Sequence, residues 1–266
     1  MRLFLKRDDL IHPEIPGNKW RKLKYNVAAA AEQGHHTVLT FGGAYSNHIR
    51  ATAAAGAHFG LATIGVIRGE EHVPLNPSLA DAASRGMTLT YLDRARYREK
   101  ESREVQEALR RKFGDFYLVP EGGSNEPGVR GCAEIPREID VEFDVICCSC
   151  GTGGTLAGIA AGLQSPQRAI GFSALKGAEY LNSRVDDLQR RAFGFNSGNW
   201  TIEHAFHFGG FARRTPELDR FIGNFHAQHG VFLEWVYVAK MMHGIYTLIE
   251  RGDVREGSTV VAVITG

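Results

Sequence analysis

Excess charge of either sign is missing from this chain: 31 Lys and Arg stand against 30 Asp and Glu in 266 residues, a formal charge of +1. A nucleic-acid partner is therefore not expected, because neutralising several backbone phosphates at once needs a strongly basic face. Long apolar runs are missing as well. No stretch approaches the ~18 uninterrupted apolar residues of a membrane span, and no long apolar core follows the charges of the opening residues as a leader would need. No membrane association is expected, and a cytoplasmic location is. Cysteine is scarce, with only Cys132, Cys147, Cys148 and Cys150. The last three sit in one short apolar run, where mutual disulfides would be badly strained. Zinc needs about four tetrahedral ligands, and no second Cys/His pair occurs at a matching spacing, so no metal is expected. Buried, reduced strand cysteines are the better reading. Repeats and low-complexity segments are absent too.

Glycine is plentiful, at 31 residues, and 43% of the chain is hydrophobic. Apolar runs bounded by turn residues alternate with helix-period segments, the pattern of βα units around a parallel sheet. Strands are expected over residues 37–41, 61–67, 88–92, 116–119, 143–149, 169–175 and 259–264. Helices are expected over 48–60, 77–86, 97–113, 128–139, 156–162, 216–229 and 238–251, and residues 193–210 read as loops with one strand at most. The fold class is α/β, with open, mostly parallel twisted sheets and helices on both faces, in two lobes. A larger domain takes residues 1–45 plus 114–266, and a smaller inserted α/β domain takes 46–113. Both ends of the chain are abrupt, so a few terminal residues are expected to be missing.

Gly151-Thr152-Gly153-Gly154-Thr155 lies between an expected strand and an expected helix. Such a turn binds anions, because glycines allow close backbone approach and the helix start offers unpaired N–H groups. It is neither a P-loop, which needs Lys-Ser/Thr after its last glycine, nor a spaced dinucleotide fingerprint. A tight structural turn with Thr155 as helix cap is the competing explanation. Lys19, in Gly17-Asn18-Lys19-Trp20-Arg21-Lys22-Leu23, would ordinarily be a solvated surface charge. It becomes a nucleophile only if burial or the cations Arg21, Lys22 and Lys24 lower its pKa. Ser46 and Asn47 have an equally plain role in capping the helix that follows, and Tyr237 in filling a core.

Taken together, these segments resemble the 1-aminocyclopropane-1-carboxylate deaminase and D-cysteine desulfhydrase family of pyridoxal 5'-phosphate enzymes (fold type II, tryptophan-synthase-β-like). The resemblance is carried by Lys6-Arg7-Asp8-Asp9, Gly17-Asn18-Lys19 with Arg21-Lys22-Leu23, Gly42-Gly43 with Ser46-Asn47-His48, Gly122-Gly123-Ser124-Asn125, the 151–155 loop, and Tyr237 with Lys240. It implies that Lys19 holds the cofactor as a Schiff base and moves protons at the substrate carbon. It implies that Asn47 bonds the cofactor's ring oxygen and that Gly151, Thr152, Gly153, Gly154 and Thr155 cup its phosphate. Ser46 and Tyr237 match substrate-side hydroxyls, and His48 is expected to contact the substrate carboxylate or the cofactor. Where the family often carries Glu or Thr facing the pyridine nitrogen, this chain has Val238. Thr265 is the expected substitute, a hydroxyl that leaves the ring nitrogen largely unprotonated and the cofactor a weaker electron sink. The activity implied is a lyase or hydrolase that deaminates a small amino acid, D-cysteine first and 1-aminocyclopropane-1-carboxylate as the alternative. A cofactor-binding homologue without useful catalysis is the rival of another class. A homodimer is implied by the resemblance alone.

Overall fold

Fully apolar runs such as residues 260–264, buried at every position, cannot be one-sided strands and need cover on both faces. That is the condition of a parallel sheet. The structure, a computed structural model, describes residues 1–265. In chain order it comprises β1 (Arg2–Arg7), α1 (Asn18–Glu32), β2 (Thr37–Gly42), α2 (Asn47–Phe59), β3 (Ala62–Arg68), α3 (Pro77–Ser84), β4 (Thr88–Leu92), α4 (Arg94–Arg98), α5 (Arg103–Phe113), β5 (Tyr117–Val119), α6 (Glu126–Cys132), β6 (Val145–Cys150), α7 (Gly154–Gly162), β7 (Arg168–Ser173), α8 (Leu181–Phe193), β8 (Trp200–Glu203), α9 (Pro216–His229), α10 (Val238–Glu250) and β9 (Thr259–Ile264). The strands form a five-stranded sheet in the order β1-β9-β6-β7-β8 and a four-stranded sheet in the order β4-β3-β2-β5. Every pairing in both is parallel.

The four-stranded sheet takes in β2 and β5, which flank residues 46–113 on either side, so it recruits more of the chain than the expected insert. Sheet pairing is a long-range choice that periodicity does not reveal. Three further differences have local causes. The expected helix over 97–113 is two helices, α4 and α5, with Ser102 capping the second through Val105 N–H. The expected helix over 128–139 ends at Cys132 and resumes as a 3₁₀ turn, Ile135–Glu138, in which Pro136 lacks the N–H that would continue an α-helix. Helix α8 went unread because its apolar stripe is narrow, with only Leu181, Val185, Leu188, Gln189 and Ala192 buried. Cys147, Cys148 and Cys150 lie buried in β6, and Cys132 in α6.

Helix α1 is the joint between the sheets. Its Arg21, 1% exposed, donates to both oxygens of the fully buried Asp8 just past β1, at 2.5 and 2.9 Å. The same guanidinium reaches Glu138 at 2.8 and 2.6 Å, and Lys6 adds a bond to Asp8 at 2.9 Å. Two side-chain amides, Asn26 on α1 and Asn125 at the start of α6, bond each other reciprocally at 3.1 and 2.7 Å. These polar locks fix the rotation of α1, and hence which of its side chains face the cleft.

Candidate active site

In open parallel sheets, ligands bind in the crevice beyond the carboxyl ends of the strands. Four of the segments singled out in the sequence lie there: residues 46–48 after β2, 121–125 after β5, 151–155 after β6, and Thr265 after β9. Lys19 joins them from the first turn of α1. Its approach is set by Gly17, whose positive φ of 62° precedes the helix and whose lack of a side chain lets the chain press on Thr265. A methyl group at Gly17 would lie 1.9 Å from the Thr265 carbonyl oxygen.

The Lys19 amine donates to Asn18 Oδ1 at 2.8 Å, and Asn18 Nδ2 donates to Thr155 Oγ1 at 2.8 Å. Burial lowers the Lys19 pKa to about 7, and the neighbouring Lys22 cation pushes the same way. Of the three cations expected to act on Lys19, only Lys22 does so. Arg21 is spent on Asp8 and Glu138, and Lys24 on Glu134. A substantial fraction of Lys19 is thus an unprotonated nucleophile near neutral pH.

Lys22 is the residue whose role the sequence reading understated. It is 3% exposed, its ammonium donates to the Gly122 carbonyl at 2.9 Å and to Ser124 Oγ at 3.3 Å, and Ser124 in turn bonds Thr152 Oγ1 at 2.6 Å. The signal was available, since Lys19 and Lys22 are spaced i, i+3 and share one face of a helix. A methyl group at Gly154 would lie 2.6 Å from Ser124 Oγ and 3.2 Å from the Lys22 ammonium. A cradle with no side chain of its own, ringed by the hydroxyls of Ser124, Thr152 and Thr155 and a buried cation, suits a phosphate dianion. The donor set therefore fits pyridoxal phosphate, with Lys19 tethered to the same loop through Asn18. Replacing Lys22 by Met is expected to weaken cofactor binding by about tenfold to a hundredfold, the worth of a hydrogen bond from a charged group. Titration of the protein with the cofactor, followed by fluorescence, measures it.

Tyr237 lies across the loop, its ring carbon and hydroxyl 3.2 and 3.4 Å from where a methyl on Gly151 would be. Phe211 packs against it edge-on at 5.9 Å. Burial first, then the carboxylates of Glu234 and Glu121, hold the Tyr237 phenol well above its ordinary pKa, so it stays a proton donor. Glu234 also fixes its backbone, accepting from Val236 N–H at 2.5 Å and Tyr237 N–H at 2.9 Å. Lys240 is a structural clamp, its ammonium donating to the carbonyls of His207 at 2.9 Å and Gly210 at 2.8 Å.

Ser46 Oγ caps α2, accepting from His48 N–H at 3.2 Å and Ile49 N–H at 3.4 Å. Those bonds use its lone pairs and leave its proton free. Asn47 opens the helix and lines a groove with Tyr45, Arg50, Pro77 and Ser78. His48 is buried, and burial followed by the charges of Lys19 and Lys22 holds its pKa well below the ordinary value, so it is neutral. Thr40 donates its one hydroxyl proton to the Val119 carbonyl at 2.8 Å, so it accepts from His48 Nε2–H at 2.8 Å. The ring's Nδ1 is then a bare acceptor, buried and without a partner among the described residues. Among the described residues no hydrogen bond joins Ser46, Asn47 or His48 to Lys19 or to the 151–155 loop. They share the cleft with these groups, with His48 Cε1 3.2 Å from a methyl position on Gly123.

Comparison with known proteins gives a consistent picture. The family profile described as "Pyridoxal-phosphate dependent enzyme" matches residues 1–266. A putative 1-aminocyclopropane-1-carboxylate deaminase of Pyrococcus horikoshii is 31% identical over 275 residues, 99% of this chain and 84% of that protein. A mitochondrial bifunctional D-cysteine desulfhydrase/1-aminocyclopropane-1-carboxylate deaminase of Arabidopsis thaliana is 32% identical over 289 residues, 99% of this chain and 72% of that protein. The crystal structure of an ACC deaminase homologue superposes with a TM-score of 0.86 at 30% identity, covering 99% of this chain and 84% of that one.

Proposed function

The chain belongs to the pyridoxal-phosphate dependent enzyme family, and on that footing we propose that it is a lyase acting on a small amino acid, D-cysteine first, with pyruvate, hydrogen sulfide and ammonia as products. The observation that carries this reading is the half-buried Lys19 amine, its pKa lowered to about 7, tethered beside an anion cradle that holds the buried Lys22. Bound there, the cofactor withdraws electrons from the substrate's α-carbon and so acidifies its C–H bond.

The protein's side chains supply the rest. Lys22 and the 151–155 loop bind the phosphate, and Asn47 is assigned to the ring oxygen. Wherever its amine is not bonded to the cofactor, Lys19 would be a free base whose pKa suits taking the α-proton at neutral pH. Tyr237, kept protonated, donates to the substrate side, and the Ser46 hydroxyl proton is available to the substrate carboxylate. His48 is neutral and its Nδ1 is a bare acceptor, so of the two contacts expected of it, substrate carboxylate or cofactor, its ring suits a donor group of the cofactor better than a carboxylate. Bond breaking in this scheme is an elimination, and water enters only to hydrolyse the released product. Lyase therefore replaces hydrolase as the reaction class.

Val238, fully buried and apolar, offers nothing to a charged ring nitrogen, which leaves Thr265 as the assigned partner. A hydroxyl there supports loss of a good leaving group more readily than ring opening. The second reading, 1-aminocyclopropane-1-carboxylate deaminase, appears among the relatives' names beside the desulfhydrase: the Arabidopsis protein is named for both and the Pyrococcus protein as a putative deaminase. Parallel assays of sulfide from D-cysteine and 2-oxobutanoate from 1-aminocyclopropane-1-carboxylate separate the two. Sulfide release at the higher kcat/KM supports the desulfhydrase, whereas 2-oxobutanoate alone replaces it with the deaminase. We assign the working enzyme to a homodimer, which light scattering checks.

A further inference from the structure

We propose that Asn18 is a positioning residue that holds the Lys19 amine in its attacking position by tying it to Thr155 of the glycine loop. This rests on the reading of Lys19 as the amine that captures the cofactor. Asn18 has one acceptor and one donor end, and both are engaged: Oδ1 accepts from Lys19 Nζ at 2.8 Å and Nδ2 donates to Thr155 Oγ1 at 2.8 Å. Because the amide is planar, anchoring one end orients the other. Thr155 is itself buried, at 4% exposure, in the second position of α7, so the anchor is rigid.

The physical need is entropic. A lysine carries about 2 kcal/mol of rotamer freedom, and a nucleophile that must meet an aldehyde at one point reacts faster if that freedom is already lost. Backbone position alone does not remove it, since Lys19 lies in the first turn of α1, where four rotatable bonds lead to the amine. The Asn18 bridge removes it, and it reports the placement of the loop that binds the phosphate to the amine that attacks the aldehyde. The serial arrangement makes a specific demand: Thr155 should affect Lys19 reactivity without touching Lys19, and only through Asn18.

The experiment uses pyridoxal, which lacks the phosphate and so removes Thr155's direct role in binding it. The Lys19 nitrogen adds to the aldehyde carbon, the aldehyde oxygen leaves as water, and borohydride reduces the resulting C=N bond to a stable label located by peptide mapping. Asn18→Ala and Thr155→Val are each expected to lower the rate of Lys19 labelling about tenfold, the worth of one hydrogen bond to an ionisable amine. The double variant is expected to be no slower than either single one. Asn18→Asp keeps the acceptor but adds a charge, so the pH midpoint of labelling is expected to rise by about one to three units. Circular dichroism melts establish that the variants fold. Labelling of Asn18→Ala at the parent rate, or single effects that multiply in the double variant, overturns the positioning role. Label spread over surface lysines with no preference for Lys19 in the parent overturns the reading of Lys19 itself.

Discussion

Replacing Lys19 by Ala is expected to lower turnover by at least about 10³-fold, the loss of both a nucleophile and a general base at one position. The variant should still bind pyridoxal phosphate, since Lys22, Ser124, Thr152 and the glycine loop are untouched. Binding without borohydride-stable retention at residue 19 separates the loss of chemistry from the loss of the site. The parent's pH dependence follows from the same amine. Its pKa is lowered to about 7 by burial and by Lys22, so the neutral, nucleophilic fraction grows as pH rises. Capture of pyridoxal should therefore rise from pH 6 to 8 and flatten above, where an ordinary lysine would still be rising toward its usual 10.5. A capture rate that climbs steadily through pH 9, or a Lys19→Ala protein with parental turnover, contradicts the assignment.

The second large effect lies away from the chemistry. Asp8→Ala is expected to destabilise the protein by about 3–5 kcal/mol, the cost of removing one partner from a buried ion pair. Arg21 is 1% exposed and gives Asp8 two hydrogen bonds. Without Asp8 its guanidinium keeps Glu138, whose carboxylate is 43% exposed and cannot replace the lost partner inside. Lys6 loses a partner at the same time. Thermal unfolding measures the change, and a shift of less than about 3 °C in Tm would mean that the network is relaxed by water or by side-chain movement. Because α1 carries both Lys19 and the Arg21 lock, the surviving folded protein is also expected to bind cofactor more weakly.

Much of this molecule is legible in one dimension. Continuous apolar runs such as 260–264, punctuated by glycine turns, specify buried parallel strands because only a doubly covered sheet accepts side chains that are apolar on both faces. The order of Gly17-Asn18-Lys19, Ser46-Asn47, Gly122-Gly123-Ser124-Asn125 and Gly151 to Thr155 identifies the family, since each segment follows a strand or opens a helix as cofactor binding requires. Local chemistry also marks where elements begin: Ser46, Asn76 and Thr215 cap the helices after them through hydrogen bonds two or three residues long in sequence. Helix continuity was less legible, because the break at residues 99–102 and the stop before Pro136 depend on single residues within otherwise favourable patterns.

What the tertiary structure alone decided is partnership at a distance. Lys19, Arg21, Lys22 and Lys24 read alike as basic residues at the start of a helix. Folding sends Arg21 to a buried carboxylate 13 residues earlier, Lys22 to a carbonyl 100 residues later, Lys24 to Glu134, and Lys19 into a cleft that lowers its pKa. The tautomer of His48 likewise depends on Thr40 and Val119, which come from different strands. Pattern and turn chemistry act between near neighbours and so are written in the sequence. Desolvation and ion pairing depend on what surrounds a group in space, and for this chain only the packing of α1 between the two sheets settles that.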